Sequence, residues 1–152
     1  MKSKYPSFDR DRLILRPLAE RRHDMSLDYV LTLDEPAAPF DHPHLPVVAA
    51  RLREARDRGA ARILMMGAHM IKMGVSRHVI DLLRRGWFSH VAVNGACAIH
   101  DYELARTGST TESVARYIRT GEFGLWNETG LINDWAREAA AAGLGFGENV
   151  GR

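Results

Sequence analysis

The sequence predicts an α/β fold with a parallel sheet flanked by helices. Two short apolar runs, at residues 62–66 and 90–93, have the length and composition of buried strands. Between them, residues 75–85 carry apolar side chains at helical spacing, and Gly86 is the predicted stop. Strands that alternate with helices favour a parallel sheet. With 152 residues, the chain is long enough for one ordinary domain and short for two independent cores.

Residues 1–46 are predicted to form an N-terminal arm, which packs on or reaches away from an α/β domain at residues 47–152. All six prolines lie in this first part. The stretch DEPAAPFDHPHLP at 34–46 excludes a regular helix, because each proline removes a backbone donor and restrains the residue before it. Within the arm, residues 13–15 predict a strand, and residues 27–33 predict either a short strand or a helical turn.

The remaining elements of the domain follow from local signals. A helix is predicted at residues 47–58, after Pro46 and before Gly59, and another through residues 102–106. Ser109 and Glu112 have capping-box spacing, which predicts a helix from Ser109 to the stop at Gly121. An Ala-rich helix at 131–142 ends the domain before the tail GLGFGENVGR.

Composition narrows the classes of partner. Twenty-one Lys and Arg residues face nineteen Asp and Glu, with both signs interspersed, so no nucleic-acid partner is predicted. No stretch has the length of a membrane span and the N-terminus lacks the apolar core of a signal peptide, so we expect a cytoplasmic protein without a membrane partner. The single cysteine, Cys97, excludes an intrachain disulfide, and the histidine spacings do not predict a metal site.

Two loops are the predicted functional region, because ligands of open α/β sheets bind beyond the carboxyl ends of the strands. The first loop, at 67–74, has glycines at both ends but neither dinucleotide-fingerprint nor P-loop spacing. Its glycines either let a phosphate approach the backbone or only supply turn dihedrals. Ser76 either caps the next helix or touches an anion, and Lys72 is a candidate anion contact, with a nucleophile or a solvated lysine as alternatives.

The second loop, at 94–97, has polar and acidic residues behind it. His100, Asp101 and Glu103 are the candidate catalytic residues, as an acid/base group or as a site for a cationic substrate. A third cluster, at 122–129, is aromatic and acidic. This cluster either binds an organic cation or forms a hydrophobic plug under a loop. In the second case Thr129 caps the last helix.

The run GAHMIKMGVSRHVIDLLRRGWFSHVAVNGACAIHDYELARTG, followed by GEFGLWNETG, resembles the deoxyhypusine synthase family, especially its bacterial homologues. Residues 67–101 align with the family without gaps. The aligned elements are, in order, a glycine loop, a helix, a strand, a polar turn and an acid-containing segment. The resemblance implies a partial Rossmann-like, NAD-binding sheet and an active site shared between subunits of a homo-oligomer. It also implies NAD-dependent transfer acting on an amine or polyamine.

Residue by residue, the resemblance implies a cofactor site at the ends of the two strands. Asn94-Gly95-Ala96 matches the family's NAD turn, and His69 stands at a polar NAD contact. His100 stands where the family has a polyamine-binding glutamate, and Asp101 matches an acid of the same segment. The predicted cofactor residues are therefore Gly67, His69, Ser76, Asn94, Gly95 and Ala96.

The family is about twice as long, and its imine-forming lysine has no counterpart here, since Lys72 is not that lysine. We therefore expect a truncated chain that binds NAD poorly and does not transfer an aminobutyl group. The alternative is a non-catalytic nucleotide-binding or oligomerisation module. Half of a two-sided sheet leaves an edge and an apolar face uncovered, which predicts at least a dimer.

Overall fold

A computed structural model describes residues 4–7, 9–36 and 38–151, and these form a mixed α/β structure with two small sheets. Three 3₁₀ turns lie in the N-terminal part, at Arg10–Arg12, Leu18–Glu20 and Leu27–Tyr29. The strands are β1 (His23–Ser26), β2 (Ile63–Met66), β3 (His90–Val93) and β4 (Ser109–Glu112). The helices are α1 (Leu45–Asp57), α2 (Ala68–Lys72), α3 (Ser76–Arg84), α4 (Gly95–Thr107), α5 (Val114–Thr120), α6 (Asn127–Ala141) and α7 (Phe146–Val150).

The two predicted strands are neighbours and run parallel, as the sequence predicts, but the prediction that they are buried is wrong, since none of their eight residues is buried. Ile63 pairs with His90 and Met66 with Val93, so the strands end side by side. Helices α2 and α3 connect them along the chain. The second sheet is the pair β1 and β4. The α/β class and its parallel strand pair are therefore confirmed.

The described chain forms two compact units. The terminal unit joins the chain up to Asp24 to the chain from Glu112 onward, and the central unit is Met25–Thr111. The predicted division into an arm and a domain at 46/47 stays a prediction. The strand pair β2–β3 and both predicted functional loops belong to the central unit.

The terminal unit is built around Trp126, which is 2% exposed. Its indole meets the Tyr117 ring edge-on at 5.2 Å, and Leu18 completes the cluster. The chain near Arg16 is held against this core, because Arg16 N–H donates to the Leu125 carbonyl and Asn127 N–H donates to the Arg16 carbonyl. The cluster at 122–129 therefore supplies core packing, as in the plug interpretation.

A charged group is buried beside this aromatic core. The Arg21 side chain is 2% exposed and the Glu112 side chain 9%, with 3.9 Å between guanidinium and carboxylate. Glu112 accepts hydrogen bonds from Trp126 Nε1–H at 3.0 Å and from Gly124 N–H at 3.1 Å. The Arg21 guanidinium also lies over the Trp126 ring and donates to His23 Nδ1. The Glu112 carboxylate thus links the end of β4 to the segment of Arg21 and to the segment of Gly124 and Trp126.

The central unit packs α2 against α4. Ile71, Cys97 and Leu104 form its buried cluster, and Tyr29 and Met66 pack against them. Gly74 lies where the loop after α2 meets the chain at Tyr29–Leu31, and its carbonyl accepts the Leu31 N–H at 3.0 Å. Its φ of +75° and the 2.5 Å from an added Cβ to the Tyr29 carbonyl oxygen require glycine there.

Two predicted elements in the chain are wrong. Residues 13–15 form no strand. Their apolar side chains are exposed, and Pro17 follows before the next turn begins. The segment from Ser109 to Glu112 is strand β4 rather than the start of a helix, because it pairs with β1 and its buried Thr110 is β-branched, which suits a strand. Helix α5 begins after Ser113, whose hydroxyl accepts the Arg116 N–H.

Smaller differences concern where helices begin. The segment 27–33 holds a helical turn, one of its two predicted alternatives. The first loop contains the short helix α2, and α4 already begins at Gly95, well before the predicted 102–106. Thr129 lies inside α6 and is not its N-cap, because α6 begins at Asn127. The predicted stop at Gly121 is confirmed by its left-handed conformation.

Candidate functional site

The carboxyl ends of β2 and β3 open onto a depression of about 440 Å³, here called the strand-end depression. Each strand is followed at once by one residue that begins a helix: Gly67 before α2 and Asn94 before α4. Because the strands are parallel and in register, these two residues lie next to each other. The lining residues are Met65, Met66, Gly67, Ala92, Val93 and Asn94.

The three glycines near the strand ends differ in whether the backbone conformation or the packing requires a glycine. Gly67 has φ −104°, which every residue adopts, and a Cβ there would lie 3.5 Å from Asn94 Nδ2, in ordinary contact. Gly95 has no atom within 4 Å of an added Cβ. Only Gly74 supplies a turn dihedral. The turn explanation therefore accounts for Gly74 and leaves Gly67 and Gly95 without a structural requirement.

The thirteen-residue helix α4 points its amino end at the strand ends. Asn94 caps it, because the Asn94 carboxamide oxygen accepts the Cys97 N–H at 3.0 Å. Gly95 and Ala96 are exposed in the first turn, where backbone N–H groups have no intrahelical acceptor. A helix start of this kind carries partial positive charge.

The other predicted cofactor residues lie outside the lining of the depression. His69 is exposed on α2 and Lys72 is half-buried in its last turn. Ser76 is the first residue of α3 rather than its cap. Its buried hydroxyl has no hydrogen-bond partner within the described chain. The structure therefore brings together Gly67 and Asn94, with Gly95 and Ala96 adjoining.

Two of the three candidate catalytic residues meet through a residue that the sequence analysis missed. Thr110, which is fully buried, donates its hydroxyl hydrogen to Glu103 Oε2 at 2.6 Å. His100 Nδ1 lies 2.7 Å from the same hydroxyl oxygen. Because the single hydroxyl hydrogen of Thr110 is donated to Glu103, that oxygen accepts a hydrogen from Nδ1. Thr110 therefore fixes the orientation of the imidazole, but its burial excludes it as a nucleophile. No sequence signal indicated Thr110, because a helix was predicted there.

Asp101 directly follows His100 in α4 and therefore projects from a different side of the helix. Desolvation raises the pKa of its carboxyl. Burial raises the pKa of the Cys97 thiol, and the charge of Asp101 raises it further. Cys97 is therefore a buried thiol that stays protonated, not a reactive nucleophile. The structure does not join Asp101 to the His100–Thr110–Glu103 chain by any hydrogen bond described.

We expect Asp101→Asn to stabilise the protein more at pH 7 than at pH 4. Because the pKa of Asp101 is raised by folding, the folded state binds this proton more tightly than the unfolded state. Stability then falls as pH rises from the unfolded value of 3.8 through the folded value. Thermal unfolding of both chains at the two pH values measures this. Asp9→Asn, at an exposed position outside any helix or strand, is the control. An equal shift at both pH values would contradict the expectation.

Among the described residues, no group of three or more His, Cys, Asp or Glu side chains is placed to hold a metal ion. No helix in the described part of the chain combines the length and apolar character needed to cross a membrane. Comparison of the chain with protein-family models, curated proteins and solved structures finds no significant match.

Proposed function

We propose that the chain binds an adenine dinucleotide at the strand-end depression, in a partial Rossmann-like sheet of deoxyhypusine synthase type. The observation that carries this proposal is the pair Gly67 and Gly95, which neither backbone conformation nor packing requires. A glycine in such a position lets a phosphate approach the backbone. NAD, the dinucleotide implied by the resemblance, accepts and returns hydride when bound.

The residues around the depression fit such a ligand. The first-turn N–H groups of Gly95 and Ala96 suit a pyrophosphate, and the amino end of α4 favours its charge. Met65, Ala92 and Val93 offer apolar contact to a ring. Because the depression is open on one side, it supplies few buried hydrogen bonds, and we expect a Kd of about 1 mM, or about −4 kcal/mol.

Transfer on an amine or polyamine is the reaction class that accompanies this proposal. His100, held by Thr110 and Glu103, is the candidate acid/base group, and Asp101 is a candidate contact for a cationic amine. Lys72 and His69 on α2 are candidate anion contacts. Ser76 has an unpartnered hydroxyl that a ligand oxygen could satisfy. The proposal assigns no imine-forming lysine to this chain.

Binding is tested by titrating the labelled chain with NAD to about 10 mM, ten times the expected Kd, and following backbone amides by NMR. We expect saturable shifts centred on Gly67, Gly95 and Ala96. Asn94→Asp keeps an acceptor for the Cys97 N–H but places a negative charge at the site, so binding should be lost. Asn94→Ser keeps the cap without charge and should retain binding.

Gly67→Ala is the second variant. The alanine Cβ fits the ligand-free site, but it leaves less room for a phosphate to approach the backbone. We expect weaker NAD binding with an unchanged unfolding temperature. Shifts centred elsewhere, or equal binding by Asn94→Asp and Asn94→Ser, would contradict the proposal.

A second candidate function is an oligomerisation module, favoured by the uncovered face of the β2–β3 sheet. Met65 is 80% exposed and Ile63 57%, although both faces of a parallel sheet are normally covered. The next residue, Met66, instead packs against the core cluster of the central unit. We propose that a second copy covers this face. Met65→Lys should then reduce self-association in sedimentation velocity, whereas an unchanged dimer would contradict this use of the face.

A further inference from the structure

An apolar groove runs between α1 and the turn after α3, and we call it the Trp87 groove. It has a volume of about 420 Å³, and no acidic side chain lines it. Leu82 and Trp87 form one side and Ala49 and Leu52 the other, with Arg53 at the edge. The groove lies in the central unit, among residues that do not line the strand-end depression.

The surroundings of this groove are cationic. Residues 45–58, which include the helix that forms one side of the groove, hold four arginines and two acidic residues. The Arg56 guanidinium lies 4.5 Å from the centre of the Trp87 ring. Arg62 does not offer its positive charge at the edge of the groove, since its guanidinium donates to the backbone carbonyls of Trp87 and Ala60. The groove therefore combines an apolar floor with Arg53 and Arg56 beside it.

Such a groove fits an apolar side chain flanked by carboxylates. The matching segment is in the chain itself: Phe40 is 72% exposed and is followed by Asp41, with Asp34 and Glu35 a few residues earlier. The described residues from 38 to 44 form neither helix nor strand.

We propose that the Trp87 groove binds the Phe40 segment of a second copy of this chain. Phe40 fills the apolar floor, and Asp41 and the preceding acids lie beside Arg53 and Arg56. Within one copy Phe40 is exposed rather than inserted in the groove, which leaves the segment available to another copy. The proposal rests on the oligomerisation candidate and adds a second contact between copies, separate from the β2–β3 face, with the segment that supplies it.

The direct test uses a fluorescein-labelled synthetic peptide of residues 33–44, titrated with the full chain and followed by fluorescence anisotropy. We expect saturable binding that weakens with added salt, because opposite charges contribute. Arg53→Glu in the protein and Phe40→Ser in the peptide should each weaken binding at least about tenfold, or about 1.4 kcal/mol. Arg51→Glu, on the same helix but outside the lining, is the matched control and should bind normally.

Sedimentation velocity of the full chain supplies the second measurement. Phe40→Ser changes an exposed residue, so the fold is expected to persist while the dimer dissociates. A wild-type chain that stays monomeric overturns the proposal, and so does peptide binding that is absent or insensitive to Arg53→Glu. A dimer that is lost in Met65→Lys but kept in Phe40→Ser also overturns it, while leaving the oligomerisation candidate and its sheet face in place.

Discussion

Replacing Glu112 by Ala is expected to lower the free energy of unfolding by about 3–5 kcal/mol, the usual cost of removing one partner of a buried charged pair. The substitution leaves the buried Arg21 guanidinium without its carboxylate. It also removes the acceptor of the Trp126 indole N–H and of the Gly124 N–H. Urea denaturation followed by tryptophan fluorescence measures the loss, with Trp126 in the affected core.

Two variants control this prediction. Glu112→Gln keeps an oxygen acceptor but not the charge, so we expect an intermediate loss. Glu54→Ala removes a carboxylate that pairs with Arg58 at 3.4 Å on the exposed side of α1. Exposed pairs of this kind contribute about 0–1 kcal/mol. Equal losses for Glu112→Ala and Glu54→Ala would show that the buried carboxylate has no special role.

Gly74→Ala is expected to have the second large effect, a loss of about 3 kcal/mol. The left-handed conformation at φ +75° costs a residue with a Cβ about 1–2 kcal/mol. The new Cβ would also lie 2.5 Å from the Tyr29 carbonyl oxygen and 3.2 Å from the Val30 Cα. Both are backbone atoms, so the strain of overpacking adds about 1–3 kcal/mol.

The matched control is Gly59→Ala. Gly59 has φ +65°, but an added Cβ meets nothing within 4 Å. This variant therefore carries only the conformational cost, and the difference between the two variants measures the close approach at Gly74. Thermal and urea unfolding of both give that difference. Indistinguishable stabilities would mean that the chain at Tyr29–Leu31 moves away from Gly74 without cost.

Sequence patterns predicted the α/β class and the parallel pair because β2 and β3 are short apolar runs. Such runs are recognisable without knowing which distant residues they contact. The same reasoning placed Gly67 and Asn94 at one edge of the sheet, since both follow these strands directly. It did not separate Gly67 from Gly74, because the need for a left-handed conformation depends on the packing of Tyr29.

The error at residues 109–112 has its physical cause in contacts between residues distant in the chain. Ser109 and Glu112 have capping-box spacing, but this segment pairs with β1, and Glu112 interacts with Arg21 and Trp126. The link from His100 through Thr110 to Glu103 was hidden by the same error, since Thr110 lies in β4. Local signals therefore identified residues of the site without showing how they contact one another.

The chain order of the two units has a consequence for folding during synthesis. The central unit is continuous, whereas the terminal unit needs both the residues up to Asp24 and those made after Thr111. At about 5–20 residues per second, the intervening stretch of about 90 residues takes about 4–18 s to synthesise. During that time Leu18 and Arg21 await Trp126 and Glu112, so the nascent chain exposes an apolar and a cationic side chain that the finished protein buries.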